Sequence, residues 1–173
     1  MPETMAVVEE LAALVEAGFT PDQGCLETIF VRPEHDAREE LEEATLTAAE
    51  GVVGDLWKTT DPRTQITLMN AQVLDCVCEG DRSRWGLAGD QLIVDLDLSV
   101  ENLPVGQRLK IGGVTVEVTE VPHTGCKKFT ARYGTEALDY INAEERADLR
   151  LRGLYVMVIE EGVVRAGDVI EKI

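Results

Sequence analysis

The feature that most constrains this fold is a pair of glycines. Residues 107–111 and 114–121 alternate apolar and polar side chains, and only Gly112 and Gly113 lie between them. A two-residue loop between right-twisted strands needs positive φ, which glycine adopts at no steric cost, so the segment predicts a tight antiparallel hairpin. Short strands of the same kind recur elsewhere. Residues 25–31 carry Leu26, Ile29, Phe30 and Val31 between Gly24 and Pro33, and residues 64–69 alternate through Ile66 and Leu68. Residues 91–98 place Leu92, Val94, Leu96 and Leu98 on one face, as a half-buried strand, and 154–159 and 169–173 flank turns at Gly162 and Gly167-Asp168. About six short strands with few helices point to a barrel or a sandwich, with antiparallel hairpins and no signal for a parallel sheet, and the architecture expected is a mainly β, closed or nearly closed barrel.

Three helices accompany them. Thr4 is placed to cap a helix in which Met5, Val8, Leu11, Leu14 and Val15 recur at three- and four-residue steps, with Gly18 to end it. This reads as an N-terminal helical extension over 1–23, ahead of a single domain over 24–173. Asn70 caps a helix running to about residue 79, and 127–141 reads as helix interrupted at Gly134, with Thr135 as a second cap. A chain of 173 residues is too short for two ordinary domains without a linker signal.

Charge narrows the partners. The net charge is −17, and the first fifty residues hold thirteen acidic against two basic side chains, so 34–50 reads as solvated surface leading into a turn at Gly51-Val-Val-Gly54-Asp55. Such acidity disfavours nucleic acid and anionic membrane surfaces as partners. Glu9, Glu10 and Glu16 break the first apolar stretch, so neither a signal peptide nor a membrane span is expected. Cysteines at 25, 76, 78 and 126 show no disulfide framework, which fits reduced thiols in the cytoplasm.

Against this background, the stretch between Glu120 and Glu136 has no acidic residue and carries His123, Lys127, Lys128 and Arg132 around Cys126. A cysteine just before a helix and beside cations has its thiolate favoured, as a nucleophile or a ligand for a soft metal. The other reading is a buried small hydrophobe beside solvating lysines; the loop setting and missing acids favour the first. His123 is a candidate base or a local hydrogen-bonding residue. Cys76 and Cys78 would point to different faces of a helix, which suits core filling better than chelation. Arg63, Arg82 and Arg84 are candidates for an anionic group, although surface arginine is the commoner role.

Several of these segments together resemble the MOSC domain family. They are the turn at 51–55, Leu103-Pro-Val-Gly-Gln-Arg-Leu-Lys-Ile-Gly112, the loop Val118-Thr-Glu-Val-Pro-His-Thr-Gly-Cys126-Lys-Lys-Phe129 followed by Ala131-Arg132-Tyr133-Gly134, and Arg165-Ala-Gly-Asp168. The resemblance, which runs from about Gly24 to the end, implies a β-barrel and a cysteine, here Cys126, that ligates molybdenum of the pterin cofactor or carries sulfur. As a stand-alone member the chain would use Cys126 and His123 in chemistry, with Lys127, Lys128, Arg132 and Arg63 holding the molybdenum cofactor. Its partners would be a small N-hydroxylated substrate or a sulfur donor protein. Some relatives are fused to pyridoxal-phosphate enzymes, but no lysine here sits in a Schiff-base setting. Where many relatives have Gly-Glu-Asn this chain has Gly89-Asp90-Gln91, and its first fifty, mostly acidic residues are not expected to replace the additional N-terminal barrel that helps larger relatives hold the pterin. The contrasting expectation is a binding module with an inert cysteine.

Overall fold

A computed structural model describes residues 2–56, 61–124 and 127–173, and of residues 2–5, 127 and 128 the backbone alone. Among the described residues the strands are β1 (Gln23–Val31), β2 (Glu39–Leu41), β3 (Glu43–Thr47), β4 (Gly51–Val52), β5 (Ile66–Asn70), β6 (Leu92–Asp95), β7 (Arg108–Ile111), β8 (Val114–Val118), β9 (Leu154–Glu160), β10 (Gly162–Arg165) and β11 (Val169–Lys172). The helices are α1 (Pro2–Ala17), α2 (Ala71–Val77), α3 (Lys127–Tyr133) and α4 (Thr135–Asn142).

Seven strands in the order β11-β7-β8-β9-β5-β6-β1 form a barrel that the β1–β11 pairing closes. Closure leaves the barrel no free edge, and β2 adds to it as a short outer strand on β1. The glycine hairpin forms as expected, with Ile111 opposite Val114 and Arg108 opposite Glu117. Gly112 takes φ 54°, and a Cβ there would lie 2.2 Å from the Asp168 carboxylate, so any other residue would be strained and would have to displace that side chain. β8 stops at Val118 rather than at 121, and the chain then leaves the sheet to carry His123.

Two expectations about strand content and pairing are corrected. The acidic stretch 34–50 is not merely solvated surface: it contains β2 and β3, and β10-β3-β4 make a second small sheet. Ala44, Leu46 and Val52 from it join the barrel's interior cluster, while Glu43 and Thr45, which alternate with them in β3, stay exposed. With only two apolar residues in Glu-Ala-Thr-Leu-Thr, the alternation is masked by carboxylates. Second, β5 and β6 pair in parallel, with Leu68 opposite Leu92. A parallel pair needs a crossover long enough to return the chain, and α2, capped by the Asn70 side chain accepting from Val73 N at 3.0 Å, supplies it.

That crossover creates a second buried layer. Leu92 and Val94 face the interior, whereas Ile93 and Met69 face outward into a cluster with α1 (Leu11), α2 (Val73, Leu74), α3 (Phe129, Tyr133) and α4 (Ala137, Ile141). Strand β6 is therefore covered on both faces, not half-buried. Gly134, at φ 96°, breaks α3 from α4 as the sequence indicates, but it is Gly134 rather than Thr135 that occupies the cap position. Cys76 and Cys78 are both buried in this layer. The Thr4 cap falls among residues whose side chains are not described.

Candidate functional site

Thr67 on β5 pairs with Tyr155 on β9. Their neighbours Ile66, Leu68, Leu154 and Val156 fill the barrel, so both side chains face outward by strand alternation. They line a cavity of about 270 Å³ on the barrel's outer wall, bounded by α3 through Phe129 and Arg132 and by the segment after β1 through Arg32 and Arg38.

Its innermost group is Asp90, just ahead of β6, with a side chain 1 % exposed. Arg152 Nη1 donates to Asp90 Oδ2 at 2.7 Å, and His123 Nε2 lies 3.2 Å from Asp90 Oδ1. Burial pushes the Asp90 carboxyl up, but the Arg152 charge and the His123 hydrogen bond outweigh it and hold it well below the usual carboxylate range. His123 is moved the other way. Burial lowers its pKa, aided by Arg152, and the Asp90 bond only partly compensates, so the ring is neutral at pH 7. An ionised carboxylate only accepts, so Nε2 carries the proton and Nδ1 keeps its lone pair. The imidazole packs against Tyr155 with ring centroids 4.7 Å apart. Gly153 makes the approach feasible: at φ 105°, a Cβ there would stand 2.3 Å from Leu68 O and 3.5 Å from the His123 ring.

A second network sets the wall beside it. Asp55 accepts from Arg32 N at 2.9 Å and Arg32 Nη2 at 3.2 Å, and Gln91 Nε2 bridges Asp55 Oδ2 and Gln65 O. Gln91 Oε1 accepts from both Thr67 N and Thr67 Oγ1 at 2.9 Å. Asp90 and Gln91, adjacent in sequence, thus each anchor buried polar contacts of this wall.

Three arginines converge on one chain end. The 3-10 segment Arg82–Ala88 finishes in carbonyls that accept from Arg38 Nε (Gly86 O, 3.0 Å), Arg132 Nη1 (Leu87 O) and Arg152 Nη2 (Ala88 O, 3.0 Å). Cations at carbonyl ends are favourable. Arg152 is neutralised by Asp90, but Arg38 and Arg132 have no carboxylate partner among the described residues. Arg38's pKa is lowered by its burial and by the Arg132 and Arg32 charges. Arg152 Nε is the one buried side-chain nitrogen or oxygen without a partner among the described residues. In a chain of net charge −17, this collar is suited to an anion.

The sequence-derived candidates divide. His123 and Arg132 line the cavity. Arg63 does not; it pairs with Asp61 and Glu120 on the exterior. Cys126 and the Lys127 and Lys128 side chains lie outside the described residues. The other cysteines offer no ready thiolate: burial pushes Cys25 up, Cys76 to about 12 and Cys78 to about 11. Asp90, Arg152 and Arg38 were not among the candidates. The available signals were the Asp90-Gln91 departure and two arginines, 150 and 152, set among Leu149, Leu151 and Leu154.

The profile of the MOSC domain matches residues 55–171, more than half of the chain. The chain belongs to the MOSC domain family. No curated protein matches it by sequence. Solved structures share its fold. The YuaD protein from Bacillus subtilis superposes with a TM-score of 0.66 at 17% identity, over 90% of this chain and 98% of that one. YiiM from Escherichia coli gives 0.56 at 17% identity, over 87% of this chain and 68% of its own. YiiM from Geobacillus stearothermophilus gives 0.58 at 15% identity, over 87% and 75%. Arg38 and Gly51 precede the matched MOSC segment, although Arg38 is part of the cavity wall. Among the described residues no helix is long and apolar enough to cross a membrane.

Proposed function

We propose that this MOSC domain binds the molybdenum cofactor in the outer-wall cavity, with Cys126 as the thiolate ligand, and that reduction of small N-hydroxylated compounds is the reaction to assay. The observation that carries the proposal is the arginine collar. Arg38 and Arg132 bond carbonyls and no carboxylate among the described residues, and Arg152, though paired with Asp90, keeps a buried unpaired Nε, so the cavity offers guanidinium donors to an anion even with Glu34 and Asp36 on its rim. This fits a phosphate-bearing group, which Arg38 and Arg132 would hold while Phe129 and Tyr155 offer apolar walls. When bound, the cofactor's metal supplies two-electron exchange of oxygen.

The chain's own residues supply the rest. His123 is three residues before Cys126 in sequence and is held neutral, with Nδ1 available to take up or return a proton. Asp90 positions it by fixing its tautomer. The deciding experiment compares molybdenum content per chain for wild type and Cys126→Ser, purified anaerobically from a cofactor-producing host. Stoichiometric metal lost in the variant supports the proposal; equal content in both overturns the assignment of Cys126. Metal-free wild type that carries a persulfide on Cys126 would assign sulfur carriage instead.

A further inference from the structure

A second cavity, of about 320 Å³, adjoins the first and shares His123, Thr124 and Arg152 with it. Val105, Ile141, Leu151 and Leu154 give it apolar walls. Its volume is at the lower end of ordinary small-molecule sites, about 300 Å³ upward.

Two arginines line this cavity, and they are engaged differently. Arg152 is committed to the first cavity's side, where Nη1 bonds Asp90 and Nη2 bonds Ala88 O. Arg150 pairs with no carboxylate. Its Nη1 donates to Leu98 O at 3.1 Å and Leu103 O at 2.6 Å, which uses both hydrogens of that nitrogen. The remaining edge of the guanidinium, Nε and Nη2, has no hydrogen-bond partner among the described residues. That edge is not sealed off, because Arg152 Nε is the one buried nitrogen left in that condition. It is the side-on fork that holds a carboxylate through two parallel hydrogen bonds. Burial lowers Arg150's pKa by more than the Asp148 charge raises it, as befits a half-buried cation short of counter-charge.

Glu120, the one carboxylate lining the cavity, is exposed at the rim and held by Arg63, which also bonds Asp61 outside it. An uncharged molecule would leave the Arg150 fork unmatched, and a phosphate would meet a single guanidinium among apolar walls. A monocarboxylate with an apolar body matches both fork and walls.

We infer that the second cavity is a binding site for a small organic monocarboxylate, held on the Nε–Nη2 edge of Arg150 with its apolar body against Ile141, Leu151 and Leu154. This does not depend on the function proposed above, which concerns the arginine collar of the first cavity.

Backbone amide NMR titrations of the whole chain compare benzoate with benzamide, which has the same shape without the charge. Benzoate is expected to shift the amides of Leu151, Gly153 and Leu154 and to bind at least about tenfold more tightly than benzamide. Arg150→Gln should abolish that preference. Because Arg150 also ties Leu98 and Leu103 in place, Val105→Trp, at a position 57% exposed, is the second variant; it should narrow the cavity and weaken benzoate at least about tenfold. Benzoate shifts that are absent, that map to Arg38 and Arg132, or that benzamide matches in affinity overturn the inference, as does a benzoate preference that survives in folded Arg150→Gln. Inorganic phosphate keeps the two cavities apart. Benzoate binding that persists while phosphate shifts Arg38 and Arg132 supports a separate site, whereas benzoate displaced by phosphate belongs to the collar and overturns it. Phosphate that shifts nothing beside intact benzoate shifts counts against the collar and still supports this site.

Discussion

On β5, Ile66 and Leu68 turn inward to the apolar barrel cluster, while Thr67 between them turns outward to bond Gln91. The same strand thus serves two regions with opposite rules. The interior is held by burial, which is non-directional and degrades in proportion to the atoms removed. The outer wall is held by paired charges and hydrogen bonds, where removing one partner strands the other in a place water does not reach. The contrast teaches that in this barrel the polar wall, not the apolar centre, is the part that tolerates least.

The most severe test is Asp90→Ala. It leaves the Arg152 guanidinium buried without its carboxylate and should cost about 3–5 kcal/mol in urea denaturation. A loss under about 1 kcal/mol would show that the Arg152–Asp90 pair is dispensable and would break the comparison. Leu68→Ala, on the interior, should cost about 2–5 kcal/mol but leave phosphate binding intact, because its cavity opens on the other face of the sheet. Gly153→Ala combines a φ of 105° with a clash against Leu68 O and should cost about 1–3 kcal/mol. It should also displace the His123 ring resonances, which Leu68→Ala should not.

Titration sharpens the contrast further. His123 is harder to protonate in the fold than in the unfolded chain, so the unfolded state binds more protons once the pH falls below the free imidazole value of about 6.5. Stability should therefore be full above that value and decline as the pH drops toward the lowered folded pKa, by at most about 1.4 kcal/mol per pH unit from this group. At still lower pH, protonation of Asp90, depressed in the fold, adds a further loss. In His123→Gln the first decline should vanish while the second persists. The smallest stability effect belongs to Arg38→Ala. Its guanidinium bonds only carbonyls, so about 1 kcal/mol or less is expected by thermal denaturation, together with loss of phosphate binding.

Much of the barrel could be read from residue order. The Gly112-Gly113 hairpin, the strand around Ile29 and the break at Gly134 follow from local turn chemistry and alternation, and the structure has them in place. The acidic stretch misled because two inward residues, Ala44 and Leu46, are outnumbered by exposed glutamates. The parallel β5–β6 pair was hidden because helix α2 is short and reads equally well as a connection between antiparallel strands.

The site divides along the same line. Sequence by itself determined that a cation-rich, acid-free loop around His123 and Cys126 stands out from an acidic chain, because charge and spacing are local properties. Only the tertiary structure decided which distant groups meet His123. Asp90 lies 33 residues from it in sequence and 62 from Arg152, and Arg38 and Arg132 meet only because consecutive carbonyls of one chain end collect both. It also decided that Arg63, an equally plausible cation by sequence, is spent on Asp61 and Glu120. Local sequence sets which side chains are on offer; burial and barrel closure select the partners each one gets, and with them its protonation state.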